Sequence, residues 1–314
     1  PNMAMATADQ SRKRRRVNTD VELEHQSLPN EQHVLRVSLD TGLCGAQRSD
    51  EIIRLVKNAL VSDQPVVLCG LIDDWQASRW TPTTFARNTE LGANELTFAF
   101  HPRSQLPKDG SQPIPWETNC KYVDASLGEF VEWCKGCPTS NEGLAAIDCQ
   151  TNWGYASYKR FHQIFPQEVS AACDWDALGV KDAHSNFWFG TKDATTQCHY
   201  DAYGSNLVAQ VFGKKKWRLF SPADTPNMYA TRVPYEESTV YSKINITDPN
   251  LQRFPLFGKA TLYETVLCPG EVLFVPRHWW HHVEAVSDSI SVNTWLPHDN
   301  DRHDRVSEAL VRVM

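Results

Sequence analysis

TQCHYDAYGSNLVAQVFGKKKWRLF, from Thr196 to Phe220, decides how this chain reads. Two apolar-rich runs, SNLVAQVF and KKWRLF, flank a Gly-Lys turn signal, which is the pattern of two short strands. Just ahead of them stands His199-Tyr200-Asp201. Residues two apart on a strand face the same way, so this imidazole and this carboxylate can meet one metal ion. A second stretch, CPGEVLFVPRHWWHHVEAV, supplies a third ligand in His281 or His282. Two histidines and a carboxylate with open positions form the facial triad of non-haem iron(II) oxygenases.

Working outward, NFWFG from Asn186, EVLFVP from Glu271 and SISVNTW from Ser289 repeat the short-strand texture. Pro-Gly-Glu and Gly-Lys punctuate them. Several short strands with turn signals predict a sandwich or barrel, with a jelly roll as the commonest small closed form. Between Ser221 and Leu262 lies a polar, Pro-rich insert containing TRVPYEESTVYSK. A long excursion between core strands is usually functional, so Arg232 and Tyr235 are expected to contact substrate.

The amino-terminal side is mixed. Ser49-Asp50 can cap a helix to Leu60, Pro65–Cys69 reads as a strand, and Thr81-Pro82 opens a short helix. Leu96–Phe100 is a further strand, and Ser126-Leu-Gly-Glu129 is a capping box. Cys134-x-x-Cys137 has half-site zinc spacing, but no second pair follows it, so two ordinary thiols are expected. At the other end, Val306, Ala309, Leu310 and Val313 recur at helical spacing. A helix over 299–314 is expected to cap the barrel or to pair with a second copy as a homodimer.

Residues 1 to about 30 are polar and read as a disordered tail. Arg12 to Arg16 form a basic run, readable as a nuclear signal, a nucleic-acid tail or a solvated charge run. The rest of the chain has 26 basic against 38 acidic residues, a balance of −12. That argues against nucleic acid as the default partner and suits a basic peptide or protein. Nine scattered cysteines predict reduced thiols in the cytoplasm, the nucleus or both. No run reaches the ~18 apolar residues of a spanning helix, so no membrane partner is expected.

Lys215 is the remaining pointer. If Lys214 and Lys216 face solvent, Lys215 faces the barrel interior, where a lysine needs an anionic partner. Three lysines on a loose exposed edge strand would give the same pattern.

Taken together, Thr196-x-x-His199-x-Asp201, Asn206, Gly213-x-Lys215, Pro276-x4-His281 and Asn293 resemble the JmjC family of Fe(II)- and 2-oxoglutarate-dependent oxygenases. The likeness covers residues 40 to 314 and is nearest to small, hydroxylase-like members, among them one associated with a small heat shock protein. It implies a mainly β double-stranded β-helix, a cupin-like jelly roll with flanking helices. The catalytic domain would span 31–298, divided into a mixed part over 31–180 and a jelly-roll core over 181–298. His199, Asp201 and His281 would bind Fe(II), the histidine five residues after the proline being the family's choice. Lys215 would pair the distal carboxylate of 2-oxoglutarate, with Thr196, Asn206, Asn293 and Tyr155 as further contacts. One residue more than usual separates Asp201 from Asn206, and a β-bulge at Gly204 is expected to absorb it.

The implied reaction uses O2 and yields succinate and CO2 while oxidising a substrate C–H bond. A protein side chain is the expected substrate. Lysine or arginine demethylation, RNA hydroxylation and a non-catalytic adaptor role for a small heat shock protein are the alternatives. Trp188, Trp279 and Trp280 are candidates for the dry walls of the site, with plain core positions as the more common alternative for tryptophans beside a metal site.

Overall fold

The computed structural model describes residues 30–87, 89–103, 120–165, 171–233 and 238–311. The basic run, Tyr235 and Val313 lie outside the described residues. In chain order the first strands are β1 (Glu31–His33), β2 (Leu35–Ser38), β3 (Val66–Cys69), β4 (Glu95–Pro102), β5 (Lys121–Ser126), β6 (Asn152–Arg160), β7 (Ser185–Gly190) and β8 (Thr195–Asp201). The others are β9 (Ser205–Phe212), β10 (Lys215–Phe220), β11 (Ala230–Thr231), β12 (Thr239–Ser242), β13 (Leu262–Leu267), β14 (Glu271–Val275), β15 (Trp280–Ala285) and β16 (Ser289–Leu296).

They form two sheets. One runs β1-β13-β10-β15-β8-β12-β11 and the other β2-β3-β14-β9-β16-β7-β6-β4-β5. Consecutive strands β7 to β10 and β13 to β16 alternate between the sheets, which is jelly-roll connectivity. β9 is central, between β14 and β16, and buries seven consecutive residues, Ser205 to Val211. Its sequence does not alternate because both faces are covered. β10 is also central, between β13 and β15, so the lysine run does not lie on a loose edge.

The β9–β10 turn requires glycine. Gly213 has φ +66°, and a Cβ there would stand 1.9 Å from the carbonyl oxygen of Asp288. This turn fixes which face of β10 carries Lys215.

Apolar clusters on and between the sheets hold the layers. On the outer face of the nine-stranded sheet pack the helices Gly45–Leu60 and Leu127–Cys134, with Phe98 stacked on Phe130 at 4.0 Å. Each such fully buried ring contributes about 1.5–3 kcal/mol of transfer free energy. Cys198, Phe220 and Trp280 on the outer face of the other sheet are covered by Phe254, Phe257 and Met228 of the Ser221–Leu262 insert. Between the sheets lie Val208, Trp217, Leu219, Leu273, Trp279 and Val283.

The Ser126 capping box forms, and Thr81 with Thr84 closes the start of the helix Pro82–Arg87. The first long helix, however, begins at Gly45 with Cys44 as its N-cap, not at Ser49-Asp50. Ser49 instead donates from Oγ to the Gly45 carbonyl within the first turn. Cys134 and Cys137 are both free thiols.

The helix Asp301–Val311 forms where expected, but with its faces reversed. Asp301 and Glu308 are buried, while Val306 and Leu310 are 65% and 60% exposed. The buried acids satisfy backbone donors. Asp301 accepts from Gly204 N and His298 N, and Glu308 accepts from Ser238 N. Arg232 clasps Glu308 through two bonds of 2.7 Å, so this arginine ties the insert to the helix. Among the described residues no helix is long and apolar enough to cross a membrane.

Candidate metal and cosubstrate site

A cavity of about 620 Å³ opens between the two sheets. The seven-stranded sheet contributes β8, β10, β12 and β15, and the other sheet contributes β6, β7, β9 and β16. Every residue singled out from the sequence for metal or cosubstrate lines it: Tyr155, Thr196, His199, Asp201, Asn206, Lys215, His281 and Asn293.

His199, Asp201 and His281 form the group suited to a metal ion. One donor atom from each lies within 4.8 Å of the others. His199 and Asp201 are two apart on β8, and His281 is the register partner of His199 on β15. The imidazoles are oriented by backbone: Nδ1 of His199 donates to Gln197 O at 2.7 Å, and Nδ1 of His281 donates to Trp279 O at 3.0 Å. With Nδ1 protonated, Nε2 of each ring carries the lone pair. Asp201 accepts from Trp295 Nε1 on Oδ2 at 2.9 Å, while Oδ1 stands 3.7 Å from His199 Nε2. Two lone-pair nitrogens and one anchored carboxylate are a fitting donor set for Fe(II).

His282 is excluded by its direction. It lies on the opposite face of β15 from His281, fully buried, and burial pushes its imidazole down to about 3. The chain enters β15 through His278, held at φ 63°, whose Nε2 hydrogen-bonds the Ala202 carbonyl at 2.8 Å.

Thr196 is three residues from His199, an odd spacing that regular pleating would send to the other face. A bulge corrects this. His281 pairs with His199 and Val283 with Thr196, so two steps on β15 match three on β8. The bulge stands here and not at Gly204. Gly204, at φ +77°, lies in the β8–β9 bend, where its N–H donates to Asp301. Asn206 keeps its place in the cavity.

Lys215 is 4% exposed. Its ammonium donates to Ser291 Oγ at 2.8 Å and to Tyr155 OH at 3.4 Å. Lys216, on the other face, meets Glu264 at 3.3 Å. Among the described residues no carboxylate pairs with Lys215, and burial pushes its ammonium down to about 7. A buried cation with only neutral partners is a fitting seat for an anionic cosubstrate. Beside it, Trp188 Nε1 donates to Asn293 Oδ1 at 2.6 Å and Asn293 Nδ2 to Asn206 Oδ1 at 2.8 Å. The chain leaves the Asn206 amide NH2 as its donor end.

Ser291, Trp295, Trp217 and Tyr241 also line the cavity, though no motif singles them out. Ser291, Asn293 and Trp295 alternate along β16, so the alternation in SISVNTW held the clue once Asn293 was placed. Of the three candidate tryptophans, Trp188 lines the cavity and the other two take the core alternative. Trp279 packs in the core between the sheets and donates to Asp63 O, and Trp280 packs under the insert and donates to Thr225. Both are core residues because they precede His281 in a turn and strand end that are buried.

This fold with this site defines a cupin-like, JmjC-type domain. The chain belongs to that family, whose model, described as a cupin-like domain, matches residues 54–302. JmjC members use Fe(II) and 2-oxoglutarate. Among curated proteins the chain is similar to HSPB1-associated protein 1 of Rattus norvegicus, 41% identical over 80% of this chain and 52% of that protein. The Homo sapiens protein of the same name is 39% identical over 80% and 51%. Lysine-specific demethylase 8 of Xenopus tropicalis is 29% identical over 75% and 48%. The chain spans about half the length of these relatives.

Proposed function

We propose that this chain is an Fe(II)- and 2-oxoglutarate-dependent oxygenase that hydroxylates a protein side chain. The observation that carries this reading is the joint placement, on one cavity, of a His-Asp-His donor set and a buried Lys215 that has no carboxylate partner among the described residues. His199, Asp201 and His281 would hold the iron. Lys215 would take the distal carboxylate of 2-oxoglutarate, with Tyr155 and Ser291 holding the ammonium in place. Thr196, Asn206 and Asn293 would hydrogen-bond the cosubstrate. Trp217, Val208 and Val283 form an apolar wall that would exclude water from its carbon chain. When bound, iron and 2-oxoglutarate supply the oxidation: O2 turns the cosubstrate into succinate and CO2 and leaves one oxygen atom on a substrate carbon.

Removal of an N-methyl group uses the same C–H oxidation followed by loss of formaldehyde. The likeness to a protein named a lysine-specific demethylase supports it as a second reading. The name of the more similar relatives supports a small heat shock protein as a partner, either as substrate or bound without turnover.

The test is succinate formation with iron and 2-oxoglutarate over candidate proteins, read with intact mass. A gain of one oxygen supports hydroxylation and a lost methylene with formaldehyde supports demethylation. Binding of a small heat shock protein with no succinate above an iron-free control leaves the adaptor role.

A further inference from the structure

The charged side chains that line the cavity divide by depth. Lys215 is buried at the cosubstrate end, and Asp201 belongs to the donor set. Two guanidiniums remain, those of Arg160 and Arg305, and both residues are exposed. Asp201 is the sole carboxylate among the described lining residues. Glu236 and Glu237 precede the lining residue Ser238 and lie outside the described residues, so this balance is of the described lining alone. A divalent metal with Asp201, and a dianionic cosubstrate with Lys215, leave the interior near neutrality. The described part of the rim then carries two net positive charges.

These two arginines differ from the others around the site. Arg218 is paired with Glu264 and Glu284, Arg232 with Glu308, and Arg277 with Asp301 and Asp304. Among the described residues neither Arg160 nor Arg305 has a carboxylate partner. Arg160 closes β6, where it is the register partner of Asn186 on β7, so its backbone is held by the sheet. Arg305 stands on the C-terminal helix with its guanidinium 4.0 Å from the ring of Tyr203. Tyr203 in turn hydrogen-bonds Ser238 Oγ at 2.8 Å. Stacking occupies the face of a guanidinium and leaves its in-plane N–H donors to grip a carboxylate.

We propose that Arg160 and Arg305 are specificity-determining residues that select an acidic peptide segment, presenting Asp or Glu side chains at the rim, as the substrate. The proposal rests on the oxygenase reading for the word substrate, though the acidic preference of the rim can be measured without it. It runs opposite to the partner that the overall acidity of the chain favours. Overall charge acts at long range and is screened beyond about 8 Å at physiological ionic strength, whereas rim arginines act in contact.

The experiment compares two pools of fluorescein-labelled twelve-residue peptides with a randomised centre, one flanked by Asp and Glu and the other by Lys and Arg. Binding to the full chain is read by fluorescence anisotropy with Mn(II), with and without 2-oxoglutarate, so that no turnover intervenes. The acidic pool is expected to bind about tenfold more tightly, with the advantage shrinking as salt is added. It should fall below about threefold in the Arg160→Ala/Arg305→Ala double variant and largely return with Arg160→Lys/Arg305→Lys. Circular dichroism and thermal melting confirm that the variants fold. Equal or tighter binding of the basic pool, no binding of either pool, or an acidic advantage that survives the double alanine variant overturns the proposal. Calorimetry with 2-oxoglutarate alone tests the oxygenase reading separately. A wild-type chain that ignores the cosubstrate sinks that reading and leaves the peptide preference as its own result.

Discussion

His199 and His281 face each other as register partners across the β8–β15 ladder, with ring centroids 4.2 Å apart. Their convergence is therefore a property of strand pairing in the sheet. Each ring is fixed by a bond from Nδ1 to a carbonyl of its own strand or of the turn before it. A site built on paired strands holds its geometry before any ligand arrives.

Removing one ring should remove the metal. His199→Ala is expected to bind far less than one Fe(II) per chain after anaerobic equilibrium dialysis, where the wild type binds one. Stoichiometric iron in that variant would place the metal elsewhere.

Trp295 acts on Asp201 without being a ligand candidate itself. Trp295→Phe deletes the 2.9 Å bond to Oδ2 while keeping an aromatic ring at the position. Loss of such a supporting bond typically weakens metal affinity by roughly 10- to 100-fold. Competition against a metal-responsive dye measures it, and an unchanged affinity would mean that the carboxylate is held by other means.

Lys215 gives a signed pH dependence. Burial holds its ammonium at about 7 in the free chain, below the ordinary lysine value. A bound dianion favours the charged form and raises that value, so binding at pH 8 should draw in a proton. Affinity for 2-oxoglutarate should fall as pH rises above about 7. Calorimetry at pH 8 in two buffers of different ionisation enthalpy detects the uptake, and proton release would contradict it. Lys215→Met should weaken cosubstrate binding roughly 10- to 100-fold, the range for a lost hydrogen bond to a charged group.

Glu308 is 5% exposed and serves Arg232 and the Ser238 N–H together. Glu308→Ala strands both donors and should cost about 1–3 kcal/mol in urea unfolding. Val306→Ala, on the exposed face of the same helix, should change stability by less than about 0.5 kcal/mol. The reverse ranking would mean that the apolar face is the packed one.

Much of this site was legible in the sequence because strand periodicity is local. His-x-Asp on a strand, a lysine between two solvent-facing lysines, and an apolar strand leading to His281 each carry their geometry within a few residues. Tyr241 was not legible, because its place depends on cross-strand register set by residues far away in the chain. The bulge between Thr196 and His199 is of the same kind: it exists only relative to β15. The C-terminal helix misled for another reason. Apolar spacing predicts a buried face only when nothing better fills the contact, and here Asp301 and Glu308 find backbone N–H donors and an arginine waiting.

The central claim is that one cavity holds a metal on His199, Asp201 and His281 and 2-oxoglutarate against Lys215. Anaerobic titration of the Fe(II)-loaded chain with 2-oxoglutarate, followed by visible charge-transfer absorption, tests it most directly. The account predicts a band that saturates at one cosubstrate per iron in the wild type, is absent in His199→Ala, and needs much higher cosubstrate in Lys215→Met. Stoichiometric iron with no cosubstrate-dependent band in the wild type would contradict it.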